Sequence, residues 1–278
     1  MDYIEFQCVV KPLPEAADMA MAILAEEGFE SFSETDKGFL AYIPEKDFSE
    51  ELQNVIHAGL INEYALTISW KVVPSQNWNA VWESEYEPVN IENRCLILAP
   101  FHTVTTQVPY RIIIEPKMSF GTAHHETTRL MIRYLLDMDI TGKKVLDMGC
   151  GTAVLAILAS MRGAVSVDAV DNDEWAYNNS LENVEQNAPG KITVFLGDAS
   201  LLTEKKYDII IANINRNILT ADLQSYAACL PVNGLLLMSG FYTEDIAVID
   251  EVATKRGLSL LSTRDENKWA AVCYQKGK

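Results

Sequence analysis

From residue 126 to 239 the chain alternates without a break between segments whose apolar residues recur at helical spacing and short runs that are apolar throughout. The spacing predicts a helix over 126–138, a strand over 144–148, a helix over 154–162 and a strand over 166–170. A helix over 174–187, strands over 192–196 and 207–212, a helix over 219–229 and a strand over 235–239 follow. Uniformly apolar strands are buried on both faces, and helical crossovers make successive strands parallel. The expected architecture is therefore α/β: a Rossmann-like, doubly wound, mostly parallel sheet with helices on both sides. The run 269–274 is expected to add an antiparallel strand at the sheet's edge.

The part before this region has a different rhythm. A strand over 3–10 precedes a helix over 14–27, in which Ala17, Met21 and Leu24 recur at helical spacing. Strands over 29–34 and 39–43 are joined through Asp36-Lys37-Gly38, where glycine supplies the positive φ of a hairpin turn. A helix over 49–57 and a strand over 66–73 complete a β-α-β-β-α-β order, the ferredoxin-like pattern of a small α+β domain. A chain of 278 residues exceeds one ordinary core, so two domains are expected. The boundaries read as 1–72 for the small domain, 73–93 for a linker and 94–278 for the large domain, which opens with strands over 95–99 and 111–114. In the linker, Trp78 and Trp82 stand four apart, the spacing of one helical face, and are read as packing residues.

Charge and cysteine usage exclude several classes of function. With 22 basic and 39 acidic residues the net charge is −17, which repels a phosphate backbone over most of the surface, so direct nucleic-acid binding is not expected. A basic partner fits better; plain solubility is the alternative reading. The N-terminus has no basic stretch before an apolar run, and no segment approaches about 18 apolar residues, so neither a signal peptide nor a membrane span is expected. Five scattered cysteines (Cys8, Cys95, Cys150, Cys229, Cys273) never form a Cys-x-x-Cys spacing, which argues against disulfides and zinc. His124 and His125 are adjacent and lack a third ligand at metal spacing, leaving a loop or capping role, or one in positioning ligands. These features describe a reduced, cytoplasmic protein with no metal; its oligomeric state stays open.

Chemistry concentrates at Val145-Leu146-Asp147-Met148-Gly149-Cys150-Gly151-Thr152-Ala153, where an apolar strand runs into a glycine turn and then a helix. Ligands of open α/β sheets bind at such turns. Asp171 ends the next strand, where a carboxylate accepts hydrogen bonds from ribose hydroxyls in dinucleotide and methyl-donor enzymes alike. A dinucleotide fingerprint needs a third glycine, and Val154 stands there instead. Asp147 adds a negative charge just before the loop, unfavourable for a pyrophosphate but compatible with the ammonium and sulfonium groups of S-adenosylmethionine.

The stretch Glu115-Pro116-Lys117-Met118-Ser119-Phe120-Gly121-Thr122-Ala123-His124-His125-Glu126-Thr127-Thr128, followed by Gly149 21 residues later, resembles the signature of the ribosomal protein L-eleven (L11) methyltransferase family. Asn77-Trp78-Asn79-Ala80-Val81-Trp82 is similar to that family's linker and Ala212-Asn213-Ile214 to its substrate-side loop. The resemblance covers essentially the whole chain. It implies S-adenosyl-L-methionine as methyl donor, lysine and N-terminal amines of the large-subunit ribosomal protein L-eleven as acceptors, and a small domain that selects this substrate. Carried over, the family's donor contacts are Thr128, Gly149, Asp171 and Asn213, and Asp147, Gly151, Phe120 and Asp198 complete the candidate donor set. Asp198 reads equally as a solvated turn residue. Asn213 is the catalytic candidate: its amide oxygen can orient the acceptor amine. The sequence departs from the family at Lys117, Ala123 and Ala153, where glycine is usual, and at Asn215-Arg216, where a small apolar pair is usual. Two rival readings stand beside this one, a small-molecule methyltransferase of the same fold and a non-catalytic donor-binding module.

Overall fold

The computed structural model describes residues 2–9, 14–56, 67–73, 86–117, 121–187 and 192–278. The tryptophans at 78 and 82 and the phenylalanine at 120 lie outside the described residues. The chain forms two units, Met1–Glu85 and Tyr86–Lys278.

In the first unit, strand β1 (Tyr3–Val9) lies between β3 (Gly38–Pro44) and β4 (Thr67–Val73), with β2 (Ser31–Thr35) outside β3, every pair antiparallel. The order β2-β3-β1-β4 is the ferredoxin-like arrangement. Alternate residues Ile4, Phe6 and Cys8 of β1 are buried with Ala20 and Leu24 of α1 (Pro14–Glu26) and Leu52 and Ile56 of α2 (Glu50–Ile56), so one sheet face carries the helices and the core. Phe6 holds the centre, with the rings of Phe29 and Trp70 at 5.5 and 6.3 Å.

The second unit opens with a small sheet of β5 (Val89–Ile91), β6 (Cys95–Leu98) and β7 (Tyr110–Ile113). Strand β5 falls inside the stretch read from sequence as linker; three residues are too few to show a periodicity. Glu92 and Asn93 form the β5–β6 turn, both at positive φ (54° and 52°). The main sheet contains β8 (Lys144–Met148), β9 (Ser166–Asp171), β10 (Ile192–Leu196), β11 (Ile209–Asn213), β12 (Leu235–Tyr242), β13 (Leu258–Glu266) and β14 (Trp269–Lys276), in the order β10-β9-β8-β11-β12-β14-β13. Strands β8 to β12 run parallel, and β14 is antiparallel to both its neighbours. The expected antiparallel strand at 269–274 exists, but it is not the edge: β13 lies outside it. Most of β13 is exposed, and its second half is polar (Ser262, Thr263, Arg264, Asp265), so no sustained apolar run announces it.

Helices α3 (Glu126–Asp137), α4 (Val154–Met161) and α5 (Glu174–Asn187) contribute to one core, and α6 (Arg216–Cys229) and α7 (Ile246–Thr254) to the other. Helix α4 is buried over seven of its eight residues, Val154 to Ser160, which explains why its sequence is apolar all round. Strand order reverses at β8, with β9 on one side and β11 on the other. The carboxyl ends of these three strands therefore frame a crevice at a topological switch point. Among the described residues no helix is long and apolar enough to cross a membrane.

Candidate active site

Three loops meet in that crevice. After β8 the chain turns through Gly149 (φ 69°) and Gly151 (φ 54°), and the amides of Gly149 and Cys150 both donate to Val170 O at 2.8 and 3.1 Å. A Cβ on Gly149 would lie 2.1 Å from Ile214 Cγ2, so glycine is required there for the β11 loop to approach. Thr152 Oγ1 donates to Gly121 O at 2.7 Å, joining the glycine turn to the segment before α3. Asn213 ends β11, and its Nδ2 donates to Thr128 Oγ1 of α3 at 3.3 Å. Gly121, Thr128, Gly149, Gly151 and Asn213, with Cys150, Val154 and Leu155, line a recess of about 40 Å³. A wider groove of about 550 Å³ is lined by Asn172, Asp198, Ala199 and Ser200 and by α6 between Asn217 and Ser225.

Four of the sequence candidates, Thr128, Gly149, Gly151 and Asn213, thus share one recess. Asp171 adjoins them: its Oδ2 accepts from Gly151 N at 2.8 Å and its Oδ1 from Asp173 N at 3.0 Å. A carboxylate with one backbone bond on each oxygen keeps lone pairs for a further ligand. Asp198 stands in the wider groove, where its Oδ1 caps a short turn by accepting from Ser200 N at 2.9 Å; bonds from Ser200 hold its carboxyl below the usual range. Asp147 does not line the recess. It is 1% exposed beneath the glycine turn, with Oδ2 accepting from Ala156 N of α4 at 3.0 Å and no hydrogen-bond partner for Oδ1. Burial pushes its pKa up to about 7.

One atom in the recess has chemical consequence. Asn213 Oδ1 is buried and makes no hydrogen bond, although its amide nitrogen is engaged. A buried carbonyl oxygen without a donor costs about 1–3 kcal/mol. An N–H-bearing group brought into the recess would satisfy it, and among the described residues that line the recess none carries a fixed positive charge.

The replaced glycines are resolved by backbone geometry. Ala123 and Ala153 both adopt left-handed φ, 65° and 62°, and both are fully buried. The loops keep the conformation that glycine favours, at roughly 1–2 kcal/mol of strain each. Lys117 pairs with Glu182, and Arg216 pairs with Asp245 at 2.6 Å. His125 caps α3 by accepting from Thr127 N at 3.3 Å, and His124 bonds Thr122 Oγ1 and Glu87 O. Both histidines therefore have structural partners, and among the described residues no group of side chains could hold a metal.

Sequence reasoning missed a ladder on α5. Asn183 Oδ1 accepts from Glu115 N at 2.9 Å and its Nδ2 donates to Thr152 O at 3.1 Å, while Asn187 exchanges bonds with Ile113 N and O. Asn179 Nδ2 reaches Glu115 O at 3.3 Å. The four-residue spacing of these asparagines was the available signal, since three identical polar residues on one helical face are suited to pairing with an adjacent extended backbone.

The sheet order with its antiparallel strand β14 inserted between β12 and the edge strand β13, the crevice at β8 and the carboxylate-tipped β9 define the class I S-adenosylmethionine-dependent methyltransferases. A solved ribosomal protein L11 methylase from Lactobacillus delbrueckii subsp. bulgaricus shares the fold, with a TM-score of 0.64 and 22% identity over 69% of this chain and all of that one. Within that class the chain belongs to the ribosomal protein L11 methyltransferase family, whose model, "Ribosomal protein L11 methyltransferase (PrmA)", matches residues 13–277. Proteins named ribosomal protein L11 methyltransferase are 48% identical in Porphyromonas gingivalis, covering 94% of this chain and 91% of that one, and 46% identical in Phocaeicola vulgatus, covering 99% of both.

Proposed function

We propose that this methyltransferase modifies amino groups of ribosomal protein L11, lysine side chains and the N-terminal amine, in the cytoplasm. Thr128, Gly149, Gly151 and Asp171 are assigned to the donor, with Asp198 toward its adenine end and Asp147 beneath the loop. Phe120 joins the set by sequence likeness. The residues suit such a donor: a strand-end carboxylate with free lone pairs answers ribose hydroxyls, and the glycine turn admits close approach. S-adenosylmethionine, when bound, supplies an electrophilic methyl group on a sulfonium. Everything else falls to the chain, which must hold an amine lone pair in line with that methyl.

The unpartnered Asn213 Oδ1 carries this reading. An amide oxygen accepts a hydrogen bond from the amine and orients its lone pair without clamping it as a charge would. Offering a neutral lysine amine at pH 7 costs roughly 4.6 kcal/mol, and a neutral α-amine about 1 kcal/mol. A buried acceptor that hydrogen-bonds the neutral amine offsets part of this. The test is transfer of labelled methyl groups from S-adenosylmethionine to purified L11. Label is expected on lysines and the N-terminus of L11; an enzyme that binds the donor and leaves L11 unlabelled would contradict the assignment.

A further inference from the structure

Four contacts run from the Asn213 loop back to the helix that touches Asn213. Arg216, at the start of α6, bonds Asp245 Oδ1 at 2.6 Å. Asp245 Oδ2 accepts from Tyr242 N at 3.2 Å, at the end of β12. The rings of Tyr242 and Trp269 lie 4.1 Å apart, and Trp269 meets His125 at 4.6 Å. His125 caps α3, and Thr128, on the first turn of that helix, holds Asn213. Asn213 pairs in register with Ser239 of β12, and a bulge at Gly240 brings that strand against Ile214, where a Cβ would lie 2.3 Å from Ile214 O. Met238 and Phe241 both point into the α6–α7 core, so the bulge turns Tyr242 to the α3 side, the side of Asn213. Three residue steps of strand lead from Ser239 to Tyr242, about 10 Å at most. Tyr242 is 44% exposed, with its ring against that of Trp269.

We propose that Tyr242 and Trp269 form one wall of the channel by which a lysine side chain reaches Asn213, and that Arg216 positions this wall through Asp245. The proposal rests on the amine-methylating function assigned above and adds the residues that grip the acceptor. An aromatic face suits this cargo, because it packs the methylene stem and attracts an ammonium group, whether methylated or not. As methyl groups accumulate, the amine loses N–H donors for Asn213 Oδ1, while its attraction to a ring persists. Arg216 acts only through Asp245 and Tyr242 and is a positioning residue.

The test uses the full chain at saturating S-adenosylmethionine, with KM and kcat for L11 measured beside donor Kd by calorimetry. Tyr242→Ala is expected to raise the KM for L11 roughly tenfold with donor Kd unchanged, and Tyr242→Phe to stay near wild type because the ring remains. Arg216→Ala should raise KM about threefold, be partly rescued by Arg216→Lys, and add little in the Tyr242→Ala background, since both changes remove the same contact. A wild-type KM in Tyr242→Ala, or a full Arg216→Ala effect in that background, would overturn the wall. A wild-type enzyme that binds donor and does not methylate L11 would instead sink the substrate assignment, and the wall with it.

Discussion

Asp147 occupies a costly position: a buried carboxylate under the glycine turn, with one oxygen on Ala156 N and the other without a partner. Its folded pKa, about 7, lies above the ordinary value near 4, so the folded state holds the proton more tightly. The stability this contributes is fully present below about pH 4 and is lost as pH rises through about 7. Carboxyls lowered by their partners, such as Asp137 beside Arg94 and Asp198 beside Ser200, titrate below this window and act in the opposite sense. Thermal melts between pH 5 and 8 should therefore show the unfolding midpoint falling with pH in the wild type, and a flatter profile for Asp147→Asn. Equal slopes in both proteins would remove Asp147 as the source. Asp171→Ala should weaken S-adenosylmethionine binding by one to two decades, roughly 1.5–3 kcal/mol for a charge-assisted acceptor, partly because Gly151 N also loses its partner. Calorimetry giving wild-type affinity in a folded variant would refute that role. The sequence identified Asp147 by its charge but could not show that the side chain points under the loop. Ala123 and Ala153 were legible as departures, and only the backbone angles show that they retain the turn.

Elements with an apolar run or a helical stripe were readable, and those without one were not. Strands β8 to β12 could be placed from sequence because each is built mainly of apolar residues, with ends shifted by up to three residues. Helix α7, with Ile249 and Ala253 buried, and the exposed strand β13 were not resolved, because a short stripe and an alternating polar strand both resemble surface loop. Helix α5 was found, yet the purpose of its asparagines was hidden, since asparagine ordinarily marks a solvated face. Their structural weight is testable. Asn183→Ala leaves the half-buried Glu115 N and the buried Thr152 O without this partner, a loss of about 2–4 kcal/mol, and should lower the unfolding midpoint by several degrees. Because Thr152 also ties Gly121 into the site, donor affinity should fall as well. A variant with wild-type melting and affinity would show the ladder to be incidental.

At the scale of the molecule, every candidate donor contact lies in Tyr86–Lys278, whereas Met1–Glu85 has its own core and a ferredoxin-like sheet. We infer that the first unit selects the protein substrate. A chain starting at Tyr86 should bind S-adenosylmethionine normally and methylate intact L11 much more slowly, because binding energy that concentrates the amine at the crevice is gone. Full-rate methylation by that fragment would rule out the adaptor role. We infer that Asn213, at the switch point of the main sheet, orients the acceptor amine for transfer, and single-turnover methylation of L11 by wild type and Asn213→Ala at saturating donor separates this role from donor binding. The methyl-transfer rate should fall by about two orders of magnitude in the variant, from lost orientation, with a smaller change in donor Kd; an unchanged single-turnover rate would refute the role.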